Sequence, residues 1–498
     1  MILKLKNYFT NFVNVVLILL LSITLIGSVS NVYSQLQSAK PLVVLMLVLL
    51  YFLFAIMQYF FPKIVTNIIE FIKNGGGKFL LILVSTLTVI WQLLLVIGLS
   101  GNTTWDPSII TTLAANKSIA SWYPDYFSYN PNNIFLLVLE RIINNSLHFI
   151  GITSYPAFIM ILSVISYFLI DVSIFILFIA LKRIFNQQVS ILSGIFTWFL
   201  LAMSPLGVIP YSDILAFLIS CLFLYLYSLS VNYRVIVSMG ILSGIAFLVK
   251  PSLIIFDVAL LIVKLFDLKQ VKKPLKTIII FSLSFLIIYV PFNAYKSHNS
   301  IVRIDSTKAI PANHFIAMGM IGTGGYNNED VLANHKIKNL HERKKYNNRV
   351  IVKRLKKFGV AGYIKFLVLK QINNTSDAGF GWGMDAGQNY LMPFEEKISI
   401  QRITRKIYLN NQSFVDINWN GWKIVNQLVW TLALAFMIVA TIKANNDSLI
   451  LKLTILGGFV FLLLFEGGRS RYLIQFLPYL IALSSFGITQ IQANKEFP

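Results

Sequence analysis

Apolar runs of about membrane length recur along almost the whole chain, and no other feature restricts its fold as strongly. Inside a bilayer no water bonds a free backbone N–H or C=O, so such a run has to satisfy itself as a helix. Crossing takes ~20 apolar residues. Runs at 12–32, 41–61, 78–98, 154–180, 188–204, 211–230, 234–250, 252–267, 277–295, 426–443, 448–465 and 471–489 give twelve candidate spans. Only 12% of the residues are charged and the mean hydropathy is +0.72, whereas a soluble domain carries about 25% charged residues. The expected fold is an all-α integral membrane protein of about twelve transmembrane helices with a mixed loop domain. Several runs are short or bounded by Pro205, Pro210 or Pro251, which predicts tilted or half-membrane helices there. The stretch 133–149 is apolar but holds Glu140, Arg141 and His148, the pattern of an amphipathic helix in the interface.

Three parts follow from this reading. Residues 1–295 form a transmembrane core whose first large loop is 99–153. Residues 296–425 form a loop domain, and 426–498 supply the last helices. Lys4 and Lys6 ahead of an apolar run resemble a signal peptide, but no small-residue cleavage site is clear, so the run is expected to stay as the first span. Short loops carrying Lys and Arg (Lys182 and Arg183, Arg234, Lys264, Lys443) fall on one side if every span crosses. That side is expected to be cytoplasmic, with both termini. The single cysteine, Cys221, excludes an internal disulfide, and abundant Lys, Asn and Ile point to an AT-rich bacterial genome.

The net charge is +22, and 296–423 carry 20 Lys and Arg against 9 Asp and Glu. Beside a membrane such charge meets anionic headgroups or lipid phosphates, not nucleic acid. Residues 340–357 are strongly basic with apolar residues interleaved, which suits a helix lying on anionic lipid. A solvated surface would have the same composition.

The same topology collects the chemically capable residues on the opposite, non-cytoplasmic face. Asp106 lies in Trp105-Asp106-Pro107, just past the third long run. Sugar transfer to a hydroxyl needs one base for the acceptor proton, unlike glycoside hydrolysis, which takes two carboxylates. Asp106 can equally cap a helix over 108–116, and the two roles can coexist. Asp125 sits among aromatics, as a second carboxylate or as part of an interfacial belt. Asn132 lies in a polar turn able to bond sugar hydroxyls or its own backbone. Tyr211 and Asp213 open a span, where Asp213 is also a natural cap. Lys250 ends a span and either snorkels or meets a lipid phosphate. Arg469 and Arg471, beside Glu466, open the last span; their planar forks match phosphate oxygens, or else pair with Glu466. His314 stands near the start of the loop domain. The glycines of 322–325 resemble a phosphate-cradling loop superficially, since no Gly-Lys-Ser/Thr follows. The five histidines are scattered and no metal site is expected, so the cofactor expectation is none, a divalent metal lacking support.

Taken together, Asp106 in the first large loop, the stretch 122–133, Tyr211-Ser212-Asp213, Gly244 to Lys250-Pro251, His314 with Met318-Gly319, and Glu466 to Tyr472 resemble the GT-C superfamily of polytopic glycosyltransferases, and within it bacterial mannosyltransferase-like members of cell-envelope pathways. The resemblance implies a polyprenyl-phosphate sugar donor, an envelope glycan or lipid acceptor, an extracytoplasmic site in a bacterial cell membrane, and inverting transfer with Asp106 as base. It also implies donor or acceptor contacts from Asp125, Asn132, Tyr211, Asp213, Lys250, His314, Glu466, Arg469 and Arg471. A polysaccharide ligase or polymerase using a pyrophosphate-linked donor, and a non-enzymatic flippase of lipid-linked sugars, remain the alternatives.

Overall fold

A computed structural model describes residues 2–38, 77–117, 125–266, 274–382, 384–385, 388–389, 391–409, 421–442, 448–465 and 467–493. The expected span 41–61 and Glu466 lie outside the described residues, as do residues 118–124 of the aromatic stretch before Asp125. The described residues are helical almost throughout. Besides a single α-helical turn at Tyr126–Tyr129, the described helices in chain order are α1 (Ile2–Ser38), α2 (Gly77–Leu99), α3 (Trp105–Ala114), α4 (Ile134–Phe149), α5 (Tyr155–Ile184), α6 (Gln187–Thr197), α7 (Ser212–Tyr227), α8 (Tyr233–Val249) and α9 (Ile255–Phe266). They continue as α10 (Pro274–His298), α11 (Ala312–Met318), α12 (Asn328–Lys336), α13 (Leu340–Thr375), α14 (Ser399–Tyr408), α15 (Gly421–Ile442), α16 (Leu449–Leu464) and α17 (Leu477–Ala493).

Among the described residues six helical segments are long and apolar enough to cross a membrane: Lys4–Gln37, Gly77–Leu99, Tyr155–Ile184, Leu275–His298, Trp422–Ile442 and Ser470–Ile491. Four more apolar helical segments, including α7, α8 and α16, run 10–17 residues. At 1.5 Å per residue such helices fall short of a ~30 Å hydrocarbon core. An all-α membrane bundle is thus observed, with six helices of full spanning length among the described residues. The shortening has visible causes. A π-helical turn at Trp198–Ala202 and a 3-10 turn at Pro205–Val208 end the run that begins with α6, and Pro251 separates α8 from α9.

Asparagine starts several helices. The side chains of Asn186, Asn232, Asn327 and Asn339 each accept a bond from a first-turn N–H of α6, α8, α12 and α13, which satisfies donors that have no partner within the helix. Small residues let the helices close on one another. Gly240 and Gly244 on α8 face α10, where a Cβ on Gly240 would lie 2.5 Å from the Phe281 carbonyl oxygen. Four-residue spacing of glycines is a recurrent membrane-helix contact. Gly240→Ala should lower thermal stability in detergent by about 1–3 kcal/mol, the usual cost of overpacking. Gly194→Ala, where a Cβ meets nothing within 4 Å, should stay neutral or gain slightly. Equal melting temperatures for the two variants would refute the α8–α10 contact.

A short two-stranded sheet stands at the C-terminal end of α2. Strand β1 (Gly101–Thr103) follows α2 and pairs antiparallel with β2 (Leu391–Pro393), Gly101 opposite Pro393 and Thr103 opposite Leu391. The C-terminus of α2 is capped from the same segment: Arg405 Nε donates to the Gly98 carbonyl at 2.9 Å and Gln401 Nε2 to that of Ile97 at 3.0 Å. The segment 296–425 is mainly helical where described. Its helix α13 reaches into the bundle, with Gln371 and Thr375 bonded to Thr24 of α1 at 3.1 and 2.8 Å.

Candidate functional site

Three pieces of chain far apart in sequence meet at that end. They are the start of α3, the α7 N-terminus with the α8 C-terminus, and the 3-10 stretch Ser470–Phe476 that leads into α17. Asp106 lies in the first turn of α3, whose N-cap is Thr104. The expectation that Asp106 caps a helix from 108 is therefore corrected. The helix begins three residues earlier, because the β1 pairing delivers the chain there, and Asp106 falls one step inside. Trp105, immediately before it, has φ +47°, a region costly for a bulky side chain.

Two phenols flank Asp106. Tyr211 donates its O–H to Asp106 Oδ2 at 3.1 Å, and the Tyr126 hydroxyl also bonds Asp106. Burial, and next the Asp106 charge, raise the Tyr126 phenol well above its ordinary value, so it remains a protonated donor. The acid is thus held by two neutral hydrogen bonds.

Beside it, Asp213 in the first turn of α7 accepts a bond from Lys250 Nζ and lies 3.8 Å from Arg471 Nε. One carboxylate stands between two cations. Both partners are largely buried. The Arg471 guanidinium stacks over the rings of Trp105, Tyr211 and Tyr472 at 5.5, 5.2 and 5.2 Å. Tyr472 is also approached by Arg469 at 5.4 Å and by Lys250 Nζ at 6.0 Å. Three cations thus gather around Tyr472, whose ring face attracts positive charge.

The approach to Arg469 is built by a tight turn. Gly468 has φ +73°, and a Cβ there would sit 2.7 Å from the Gly325 nitrogen. Gly467 N–H donates to the Gly324 carbonyl at 2.8 Å. The glycines of 322–325 therefore serve as a close-packing surface for this turn. Asn374 supports it, its amide donating to the Leu462 carbonyl at 3.1 Å and its oxygen accepting from Gly468 N–H. Lys370 is fully buried and donates to three carbonyls, Gly319, Phe465 and Leu463, at 2.6, 2.7 and 3.0 Å. Its ammonium ties α13 to the end of α16 and the end of α11. Between the two glycine turns opens a polar cavity of about 580 Å³, lined among others by Thr323, Asn327, Asn373, Asp377, Arg469 and Ser470. Asp377 accepts from Ser470 Oγ at 3.1 Å and lies 3.9 Å from Lys423 Nζ.

The structure thus gathers Asp106, Tyr211, Asp213, Lys250, Arg469 and Arg471. It adds Trp105, Tyr126 and Tyr472, to which the sequence reading gave no role. Asp125, Asn132 and His314 belong to other neighbourhoods. Asp125 pairs with Lys308 at 2.7 Å, both about 40% exposed. Asn132 is exposed and its amide donates to Asn133 Oδ1 at 3.2 Å. His314, on α11, is 0% exposed. Among the described residues no three His, Cys, Asp or Glu side chains are grouped to hold a metal ion.

Burial, aided by His335 and Arg354 and opposed by Asp330, lowers His314 to a pKa of about 4 from 6.5. A group protonated more readily when unfolded takes stability away as pH falls between those two values. The melting temperature should drop from pH 6.5 toward 4, and His314→Leu should remove part of that slope. An unchanged slope would mean that His314 is not the responsible group.

The chain belongs to a family of conserved hypothetical integral membrane proteins, whose family model matches residues 5–492. No curated protein and no solved structure matches it.

Proposed function

We propose that this integral membrane protein is a glycosyltransferase that moves a sugar from a polyprenyl-phosphate donor to a hydroxyl of a cell-envelope glycan or lipid, with its site on the extracytoplasmic face. The supporting observation is the placement of Asp106 beside a cluster of three cations, Lys250, Arg469 and Arg471, around Tyr472. Asp213 is the carboxylate interposed among them, so an anionic phosphate completes the charge balance. Guanidinium forks bond phosphate oxygens in pairs.

In the proposed reaction the acceptor oxygen attacks the anomeric carbon and its proton passes to Asp106. The bond from that carbon to the phosphate oxygen breaks, and polyprenyl phosphate leaves as the anion held by Arg471 and Lys250. The leaving phosphate needs no proton, so a single carboxylate suffices, and one displacement inverts the configuration. The polar cavity at Arg469 offers amide, hydroxyl and carboxylate groups suited to a sugar-bearing acceptor. Three cations also suit a diphosphate, which favours ligase or polymerase chemistry as the second reading.

Purified protein in liposomes, given labelled polyprenyl-phosphate sugar and envelope acceptor, should move label to the acceptor and release polyprenyl phosphate. Release of polyprenyl diphosphate from a diphosphate-linked donor would establish the second reading. Donor crossing the bilayer with no transfer would overturn both and leave a flippase.

A further inference from the structure

Helix α13 changes character at Gly359, whose φ of 62° and ψ of 179° break it in two. In the first half, most of the charge separates by side, with Glu342 an exposed acid on the outward side. The inward side is satisfied within the protein. Arg354 forks onto Asp330 at 2.7 and 2.8 Å, Arg343 donates to the Lys308 carbonyl at 2.6 Å, and Asn347 and Asn334 exchange two amide bonds at 2.8 and 3.0 Å. The outward side carries Lys344, Lys345, Arg349, Lys353 and Lys356, all exposed. At 3.6 residues per turn these five occupy one half of the helix circumference over about 18 Å. Among the described residues no ion pair reaches them, and a shallow groove runs along them beside Val352.

Past Gly359 the exposed surface becomes mainly apolar, Lys365 being an exposed cation within it: Val360 is 82% exposed, Ile364 57% and Leu369 50%. This second half packs on α1 through Gln371 and Thr375 and on the end of α16 through Lys370. An exposed apolar surface among membrane helices is one that lipid tails cover. A cationic stripe directly preceding it falls at the level of the headgroups, where basic side chains concentrate anionic lipid.

We propose that the basic side of the 340–358 half of α13 is a binding site for anionic phospholipid headgroups, and that Gly359 marks the depth at which headgroups give way to tails. The proposal is independent of the transferase reading. Its occupant is the bilayer surface; a soluble polyanion is the competing outcome.

The full-length protein is placed in nanodiscs of phosphatidylcholine alone or mixed with phosphatidylglycerol, and amide hydrogen exchange is followed by mass spectrometry. Exchange at 340–358 should slow at least about tenfold in the anionic discs, with α17 unchanged as the internal control, and raised salt should reverse the slowing. A variant with Lys344, Lys345, Arg349, Lys353 and Lys356 all changed to Gln should exchange alike in both discs. Equal exchange of the unaltered protein in both discs would overturn the site, as would slowing that persists in the variant. Slowing by polyphosphate in phosphatidylcholine discs, without any by phosphatidylglycerol, would assign the stripe to a polymer and refute the proposal.

Discussion

Asp106→Asn should reduce sugar transfer by roughly 10²–10⁴-fold, the usual contribution of a positioned general base, with expression and melting temperature unchanged. Asparagine has the shape of aspartate and its oxygen can still accept from Tyr211 and Tyr126, so the strained turn at Trp105 is preserved. What is removed is the capacity to take a proton. The loss should appear in kcat, with the donor KM little altered, because Asp106 acts on the acceptor hydroxyl. Asp106→Glu moves the same carboxylate by one methylene and should be intermediate. Full turnover by the asparagine variant would exclude Asp106 as the base.

Arg471→Lys should raise the donor KM by roughly ten- to a hundredfold, matching the 1.5–3 kcal/mol typical of a hydrogen bond to a charged group. The substitution keeps one positive charge near Asp213 and loses the fork that bonds two phosphate oxygens. Arg471→Ala should do more. It strips a buried cation from a carboxylate, a change that costs ~3–5 kcal/mol where nothing compensates. Here Lys250 still faces Asp213, so the destabilisation should lie at the lower end and the protein should still fold. Steady-state kinetics with the lipid donor and a melting curve separate the effects. A lysine variant with normal KM and kcat would remove Arg471 from phosphate binding.

Much of the bundle was legible in the chain because a membrane helix leaves a long, nearly uncharged run that little else produces. Helix lengths were less so. Pro205 and Pro210 marked the runs at 188–204 and 211–230 for tilted or half-membrane helices, and a 3-10 turn does lie between them at Pro205–Val208. The π turn at Trp198–Ala202, inside the first run, has no proline to announce it, and hydropathy is blind to such a break. In the site, Asp106, Tyr211, Asp213, Lys250, Arg469 and Arg471 stood out as polar residues at the ends of apolar runs. Tyr472 and Tyr126 did not, because interfacial tyrosines are common and this chain has 22 tyrosines. Lys370 was hidden among the basic residues of 296–423; its three carbonyl acceptors come from elements 50 to 95 residues away. Asp125 looked like a partner of Asp106 from its position in the same loop. Folding turns it to Lys308, on the segment that covers the loop.

The long separation between Asp106 and Arg471 sets an order of events during synthesis. Ribosomes add about 5–20 residues each second, N-terminal first, so some tens of seconds pass between delivery of the carboxylate and delivery of the guanidinium. In the proposed transferase, the emerging chain would hold through that interval its base with only part of the anion-binding group, in a membrane that already contains any lipid-linked sugar. On that proposal chemistry is withheld until the Arg471 segment is inserted, and a ribosome that stalls ahead of the last described helix leaves an inert product in place of a leaky one.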